Sequence, residues 1–485
     1  MKAEISEFRV PPLYIYLSYF LVASLAIMTV YNYKGNAYIY LAFTVLANVM
    51  LYMGFRKGAI FFDTFIGALL WLGFWLKLSV RVTFFDGGFH EPIGDFDGSG
   101  SAFDHSLLVS SCAFTGLILA SYFREKFIFM YPSVLNVDKN VGLFEFYQRY
   151  RIRILFSFVI LILLIASSNA YFGIYQRGSI AETILPYGLS GIYKWLLLFG
   201  LASFTAVVIK FEYSLHKETT LAVAILGIFE GFVSNLSLLS RGMVMNIGAL
   251  GYGVYRSIKV YNFMTNKRFW VMSVIIFILF FLISVVTVNS IRENLYNKEV
   301  SPSEISLTGK LNKTFNETKI LFLDRWVGIE GVMAISSSPL RGWPLWKEAW
   351  SENYSENKIS LYDDKIITSP YRDTDFNQHH FVTSPGVVAF FYYPGSYFFL
   401  FLGLFFLGIT SAFIELSIYK LGGNNLILCA LLAQVVAYRW AHFGYVPSQS
   451  YLLFGALSLN LALIYFINKF LLAAPVRRLM HKDVS

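Results

Sequence analysis

The amino-acid sequence predicts an all-helical protein that crosses a membrane about twelve times. Of its 485 residues, 56% are hydrophobic and only 14% are charged, whereas globular domains carry about a quarter charged residues. Apolar runs long enough to span a bilayer recur along the chain, and most cations between them fall on one side. The two cysteines, Cys112 and Cys429, lie inside apolar runs, which excludes a disulfide-stabilised scaffold.

The predicted helices are the apolar runs of spanning length. In chain order they cover residues 12–31, 37–55, 60–81, 105–123, 153–172, 189–210, 219–239, 243–262, 269–289, 395–418, 424–440 and 451–472. The residues before the first run lack the small-residue cleavage site of a signal peptide, so we expect the first helix to be retained.

The short loops between these helices carry their cations asymmetrically. Those on one side are Lys2, Arg9, Arg56, Lys57, Arg124, Lys126, Lys139, Arg149, Arg151, Arg153, Lys210, Lys217, Arg256, Lys259, Lys267, Arg268, Lys420, Lys469, Arg477, Arg478 and Lys482. The other side offers little beyond Lys34 and Arg177. Because cytoplasmic loops are enriched in Lys and Arg, both termini are predicted to be cytoplasmic, and the net charge of +9 requires no nucleic-acid partner.

Residues 290–394 form a predicted non-cytoplasmic segment that is far longer than the usual connection between helices. Its tryptophans and tyrosines argue against a disordered linker, so we expect a small, mostly helical outer domain. The predicted organisation is therefore helices 1 to 9 in residues 1–289, the outer loop domain in 290–394, and helices 10 to 12 with a cytoplasmic tail in 395–485.

Several cations break the charge bias because they lie at the outer ends of predicted helices or in the outer segment. They are Lys77 and Arg81 in the third helix, Lys194 in the sixth, Arg241 between the seventh and eighth, Arg439 in the eleventh, and Arg325 in the outer segment. Each alone could reach out to lipid headgroups. Together they predict a site for a multivalent anion, since the guanidinium fork of arginine binds two phosphate oxygens at once.

The outer segment also holds the candidate base and candidate sugar-binding residues. His380, in a His379–His380 pair, can accept a proton near neutral pH, and Glu330 is the alternative. Without that role the histidine pair is a solvated polar turn. An aromatic stripe with helical spacing could stack on sugar rings or anchor the segment at the membrane surface. The stripe comprises Trp343, Trp346 and Trp350.

ATP-driven and classical serine-esterase chemistry have no sequence support. The chain contains no P-loop, no Cys/His metal cluster and no GxSxG nucleophile elbow. We therefore expect neither a metal nor another cofactor.

Two short motifs and the architecture resemble the Wzy-type O-antigen polymerases, the oligosaccharide repeat unit polymerases of the O-antigen polymerase and ligase superfamily. The motifs are Ser240-Arg241-Gly242 before a span and His380-Phe-x-x-Ser384-Pro385-Gly386 followed by aromatic residues and Gly395. The resemblance implies a GT-C-like, metal-independent glycosyltransferase of the bacterial inner membrane with a periplasmic active side. Arg241 matches the family's membrane-border arginine, and His380 matches its polar position before the Pro-Gly segment.

The implied reaction transfers a growing oligosaccharide from undecaprenyl pyrophosphate to a hydroxyl of the next lipid-linked repeat unit. Arginines would stabilise the departing pyrophosphate, and a base would take the proton of the attacking hydroxyl, giving inversion at the sugar carbon. Expected partners are undecaprenyl-pyrophosphate-linked oligosaccharides and membrane lipids, and they could include a chain-length regulator protein.

Two alternative functions stay open at this point. An O-antigen ligase uses the same donor with a lipid A core acceptor. A transporter or flippase for the lipid-linked unit is a different class, but transporters commonly have internal repeats and charges near the membrane midplane, whereas these cations lie at the outer border.

Overall fold

The computed structural model describes residues 12–132, 141–240, 242–261, 265–296, 323–354, 358–369 and 382–473, which are helical and contain no strand. The first helices are α1 (Pro12–Asn32), α2 (Ala37–Phe55), α3 (Phe61–Leu70), α4 (Lys77–Phe84), α5 (Gly100–Phe127), α6 (Val141–Phe172), α7 (Leu189–Trp195), α8 (Leu201–His216), α9 (Leu221–Ser237), α10 (Met243–Tyr261) and α11 (Lys267–Tyr296). The later helices are α12 (Ile329–Ser337), α13 (Trp343–Trp350), α14 (Val387–Tyr392), α15 (Tyr397–Leu421), α16 (Leu426–Ala441) and α17 (Ser450–Leu472).

The predicted polytopic helical character is confirmed. Each of the twelve predicted segments is helical over most of its length. Eight helices are long and apolar enough to cross a membrane, as judged by length and composition within the described ranges. They are Ala37–Phe55, Phe61–Phe84, Gly100–Phe127, Val141–Phe172, Pro186–His216, Lys267–Arg292, Tyr397–Leu421 and Pro447–Leu472. Shorter apolar helices lie at Tyr16–Asn32, Leu221–Ser237 and Leu426–Ala441.

Two of these long helices contain a turn of π-helix, a feature that often occurs at functional sites. The first π turn, Trp71–Leu76, joins α3 to α4, and the second, Leu196–Gly200, joins α7 to α8. Gly73 of the first π turn lets another segment approach closely, since a Cβ atom there would lie 2.4 Å from the carbonyl oxygen of Val327. The helix formed by α3, the first π turn and α4 therefore packs closely against the chain just before α12.

The described part of the outer segment is helical, as predicted, but its apolar residues join the core of the helix bundle. Ile329, Val332 and Met333 of α12 are each 0% exposed. They belong to the same hydrophobic cluster as side chains of the spanning helices, and α12 packs against α5 and α14. The boundaries at residues 290 and 394 thus separate parts of the sequence whose described residues share one core.

Buried polar contacts also join α5 and α15 to the start of α3. Arg124, at the end of α5, forms a salt bridge with Asp63 at the start of α3, and their side chains are 1% and 11% exposed. Glu415 of α15 accepts hydrogen bonds from the backbone N–H groups of Phe61 and Phe62, each at 2.8 Å. These contacts satisfy amide groups that the first turn of α3 would otherwise leave without partners.

Candidate functional site

A cavity of about 900 Å³ lies where α6, α9 and α16 end and α7, α10 and α17 begin. The charge bias predicts that this end of the bundle is the non-cytoplasmic one. Apolar side chains line part of the cavity, including Leu197 and Phe199 of the second π turn and Phe281 and Val285 of α11. The polar lining residues include tyrosines, asparagines, glutamines, serines and basic residues.

The cavity is strongly basic. Its charged lining residues are Arg177, Lys194, Arg325 and Arg439, and no Asp or Glu of the described ranges lines it. Lys194 lies over the ring of Tyr175, with Nζ 4.4 Å from the ring centroid. We call this space the basic cavity. Like charges gathered without acidic partners are costly unless an anion or water stabilises them, so the cavity is suited to a multivalent anion.

Arg177 is the member of this group that was not among the sequence-predicted anion ligands. It lies in the loop after α6, where Arg292 of α11 donates a hydrogen bond from Nη2 to the Arg177 carbonyl oxygen at 3.1 Å. The side chain of Arg177 also interacts with the hydroxyl groups of Tyr175 and Tyr438. The sequence does distinguish Arg177, because it is one of the few cations in a predicted short outer loop.

His442 places a candidate base beside the arginines. It follows the last residue of α16 and stacks on Tyr438, with ring centroids 4.0 Å apart. Its Nδ1 lies 3.0 Å from the Tyr438 carbonyl oxygen. Because a carbonyl can only accept, Nδ1 donates, and in the neutral imidazole Nε2 then carries the lone pair.

The electrostatic surroundings of His442 oppose its protonation. Burial, together with the positive charges of Arg177, Arg325 and Arg439, lowers the pKa of His442 to about 4 against the opposing effect of the hydrogen bond to Tyr438. The imidazole is therefore neutral at pH 7 in the empty cavity. An anion bound to the arginines would weaken this effect and make Nε2 a stronger base.

The sequence-predicted cations divide into two groups. Arg325, Arg439 and Lys194 line the basic cavity, whereas Lys77 and Arg81 do not. Lys77 instead forms a salt bridge with Glu330, with Nζ 2.7 Å from Oε1.

Arg81 is likewise paired within the protein, with its Nη2 atom 2.5 Å from the Asp324 carboxylate. Glu330, the alternative base, is also absent from the cavity lining. Burial raises the pKa of the Glu330 carboxyl, and the neighbouring Lys77 ammonium opposes that rise.

Arg241 and His380 lie outside the described residues. Described residues close to them in the chain line the basic cavity. They are Gly242, next to Arg241, and Val382 and Ser384, shortly after His380. Both predictions stay predictions.

The tryptophan stripe lies in an aromatic cluster and does not line the basic cavity. Trp346 stacks on Trp350, with ring centroids 5.6 Å apart, and its ring lies 4.7 Å from that of Phe390. Trp343 packs edge-on against Phe399 at 5.1 Å. Trp343 and Trp350 are about half exposed, so the alternative of surface anchoring is compatible with their position.

Across the described ranges, no three His, Cys, Asp or Glu side chains come together in a way that could hold a metal ion. No protein-family model, curated protein or solved structure matches the chain.

Proposed function

We propose that this protein is a membrane glycosyltransferase that polymerises oligosaccharide repeat units at the periplasmic face of the inner membrane. It transfers a growing glycan from undecaprenyl pyrophosphate to a hydroxyl of a lipid-linked repeat unit. The observation that carries the proposal is the basic cavity, in which Arg177, Arg325 and Arg439 surround the neutral His442.

The arginines suit the leaving group of this reaction. As the bond between the anomeric carbon and the pyrophosphate oxygen breaks, its electron pair moves onto the pyrophosphate, whose charge must be stabilised. Preorganised guanidinium groups, in a site with no carboxylate among its described lining residues, supply that stabilisation. The adjoining isoprenoid would meet apolar lining side chains such as Leu197, Phe199, Phe281 and Val285.

A histidine suits the acceptor side of the reaction. The acceptor oxygen attacks the anomeric carbon from the face opposite the pyrophosphate, and its proton passes to the base, giving inversion. His380 is the base predicted from the family resemblance. His442 is the base supported by cavity geometry, because its Nδ1–H bond to Tyr438 leaves Nε2 to accept the proton.

The test uses the full-length protein reconstituted in liposomes with lipid-linked repeat units and neither nucleotide nor added metal. We expect a ladder of longer glycans on gels. Arg439→Gln should lower turnover by about a hundredfold or more because it removes a charge-assisted contact to the leaving group. The matched control is Arg56→Gln, which removes an arginine paired with Glu125 outside the cavity lining and should leave turnover nearly unchanged.

The same assay separates the alternative functions. A ligase would add glycan to lipid A core without lengthening the lipid-linked unit, and a flippase would move the unit across the bilayer without forming a glycosidic bond. Absence of the ladder with well-folded protein and competent substrate would contradict polymerisation.

A further inference from the structure

Arg325 reaches the basic cavity from a turn that two buried cations, Lys77 and Arg81, hold against α4. The turn comprises Asp324, Arg325 and Trp326, and Val327 and Gly328 join it to α12. Arg325 and Trp326 line the cavity, whereas Lys77 and Arg81 contact the turn from α4 without lining the cavity. The cations that bind the turn are therefore distinct from those that face the cavity.

Lys77 fixes the backbone on both sides of Arg325. Its Nζ atom lies 3.2 Å from the Asp324 carbonyl oxygen and 2.5 Å from the Trp326 carbonyl oxygen. The third contact is the salt bridge to Glu330, and the Lys77 side chain is 1% exposed. One ammonium group thus uses its three N–H donors on the carbonyl groups of the two residues that flank Arg325 and on the Glu330 carboxylate in the first turn of α12.

Arg81 fixes the neighbouring side chain. Its Nη2 atom lies 2.5 Å from the Asp324 carboxylate, and the two side chains are 10% and 4% exposed. Lys77 and Arg81 are four residues apart on one helix, so they present their charges on the same face.

A close backbone contact completes the attachment. A Cβ atom on Gly328 would lie 1.9 Å from the Gly73 carbonyl oxygen in the first π turn. Only glycine allows the two backbones to meet at this distance. The turn is therefore held at the Asp324 side chain, at the carbonyl groups of Asp324 and Trp326, and through the contact at Gly328.

Such attachment matters because the neighbouring charges act against Arg325. Burial lowers the pKa of Arg325, and the charges of Arg177 and Arg292 lower it further, although Tyr438 opposes this effect. Repulsion between like charges would move a loosely held turn away from the cavity. A site that must have its arginines in place before the anion arrives needs a rigid support.

We propose that Lys77 and Arg81 are positioning residues that hold Arg325 in the basic cavity through Asp324, the Trp326 carbonyl group and Glu330. This inference rests on the proposed function, since it assumes that the cavity binds the pyrophosphate group. It assigns to Lys77 and Arg81 a role that requires no contact with the substrate.

The test is a double-mutant cycle on the affinity of the purified full-length protein for inorganic pyrophosphate, measured by isothermal titration calorimetry. Lys77→Met should weaken binding by about tenfold or more, because the turn loses a charge-assisted attachment. In the Arg325→Gln background the same Lys77→Met change should weaken binding less than twofold, because the residue that it positions is gone. A purely structural Lys77 would weaken binding equally in both backgrounds, and that result would overturn the inference.

A matched control separates positioning from general loss of stability. Asp63→Asn breaks the buried salt bridge to Arg124 at the opposite end of the bundle, with side-chain burial similar to that of the Lys77–Glu330 pair. It should lower the melting temperature and leave pyrophosphate affinity unchanged. If Lys77→Met does not fold, Arg81→Lys replaces it in the cycle, since lysine keeps the charge but loses the fork, and a threefold loss dependent on Arg325 is expected.

Failure of this inference and failure of the proposed function give different results. If Arg325→Gln and Arg439→Gln both bind pyrophosphate as the unmodified protein does, the cavity is not the anion site and both proposals fall. If those two variants lose binding while a folded Lys77→Met variant and a folded Arg81→Lys variant retain it, only the positioning role is overturned.

Discussion

His442 should make pyrophosphate binding depend on pH in a direction that the cavity's charges determine. In the empty cavity, burial and the charges of Arg177, Arg325 and Arg439 lower the pKa of His442 to about 4. A bound pyrophosphate would offset those positive charges and favour the imidazolium. By linkage, an anion that raises the pKa of His442 must bind more tightly as the pH falls.

The magnitude follows from the two pKa values. If the anion restores the ordinary histidine pKa of about 6.5, the linked gain in affinity is negligible at pH 8. At pH 5, His442 is protonated in nearly all of the pyrophosphate-bound molecules and in about a tenth of the free molecules. Pyrophosphate affinity therefore rises roughly thirtyfold, or by ~2 kcal/mol.

The assay compares the protein with His442→Asn by calorimetry between pH 5 and 8. Asparagine cannot titrate, and protonation of pyrophosphate itself affects both proteins equally, so the ratio of the two affinities isolates His442. Repeating the titration at pH 5 in two buffers of different ionisation enthalpy should show that the unmodified protein takes up nearly one proton more than His442→Asn does. Parallel pH profiles for the two proteins would refute the reasoning.

The other predictions concern stability, the aromatic cluster and topology. In the absence of ligand, the lowered pKa of His442 should cost up to about 3 kcal/mol of stability as the pH falls from 6.5 to 4, and His442→Asn should flatten that part of a melting-temperature profile. Gly328→Ala should lower the melting temperature and pyrophosphate affinity together, because its Cβ would lie 1.9 Å from the Gly73 oxygen. Trp346→Ala should destabilise the protein by about 3 kcal/mol and still yield glycan product from the folded fraction, because the ring packs in a cluster outside the cavity lining; lost product with unchanged stability would contradict this. A reporter active only outside the cytoplasm should give signal when fused near Lys358 and none after Ser485, and the reverse pattern would invert the predicted topology.

The helices were predictable because a spanning helix needs a long apolar run, and such runs are local features of a sequence. The π turns were not predictable in this way. The sequence of the Trp71–Leu76 segment does not indicate that the backbone of Val327, which lies far along the chain, packs closely against Gly73. Contacts of that kind depend on tertiary packing, to which local apolar periodicity is insensitive.

The sequence predicted which cations lie near the outer border, but not which of them have carboxylate partners within the protein. Arg325, Arg439 and Lys194 were selected because cations at the outer membrane border are costly unless they are paired or hydrated, and they do line one cavity. The same argument selected Lys77, whose partner Glu330 is 253 residues away. Charge placement alone cannot separate a cation that awaits a ligand from one that has a distant carboxylate.

His442 was missed for a related reason. A single histidine after an apolar helix has no distinguishing charge, and His380 drew attention through the family motif instead. The available signal was the spacing of Tyr438, Arg439 and His442, which brings an aromatic ring, a cation and an imidazole together at one helix end.

The attachment of the Asp324 turn to α4 also has a consequence for how the chain is made. Lys77 emerges from the ribosome 247 residues before Asp324, which at about 5 to 20 residues per second is a delay of roughly 10 to 50 seconds. During that interval the third helix has entered the membrane with two cations whose carboxylates have not yet been synthesised. An unpaired charge in hydrocarbon is costly, so this helix would remain near water or the insertion machinery until the outer segment follows. Assembly of the basic cavity would then be among the last steps of biogenesis, and a chain truncated before Asp324 would expose this helix to quality-control proteases.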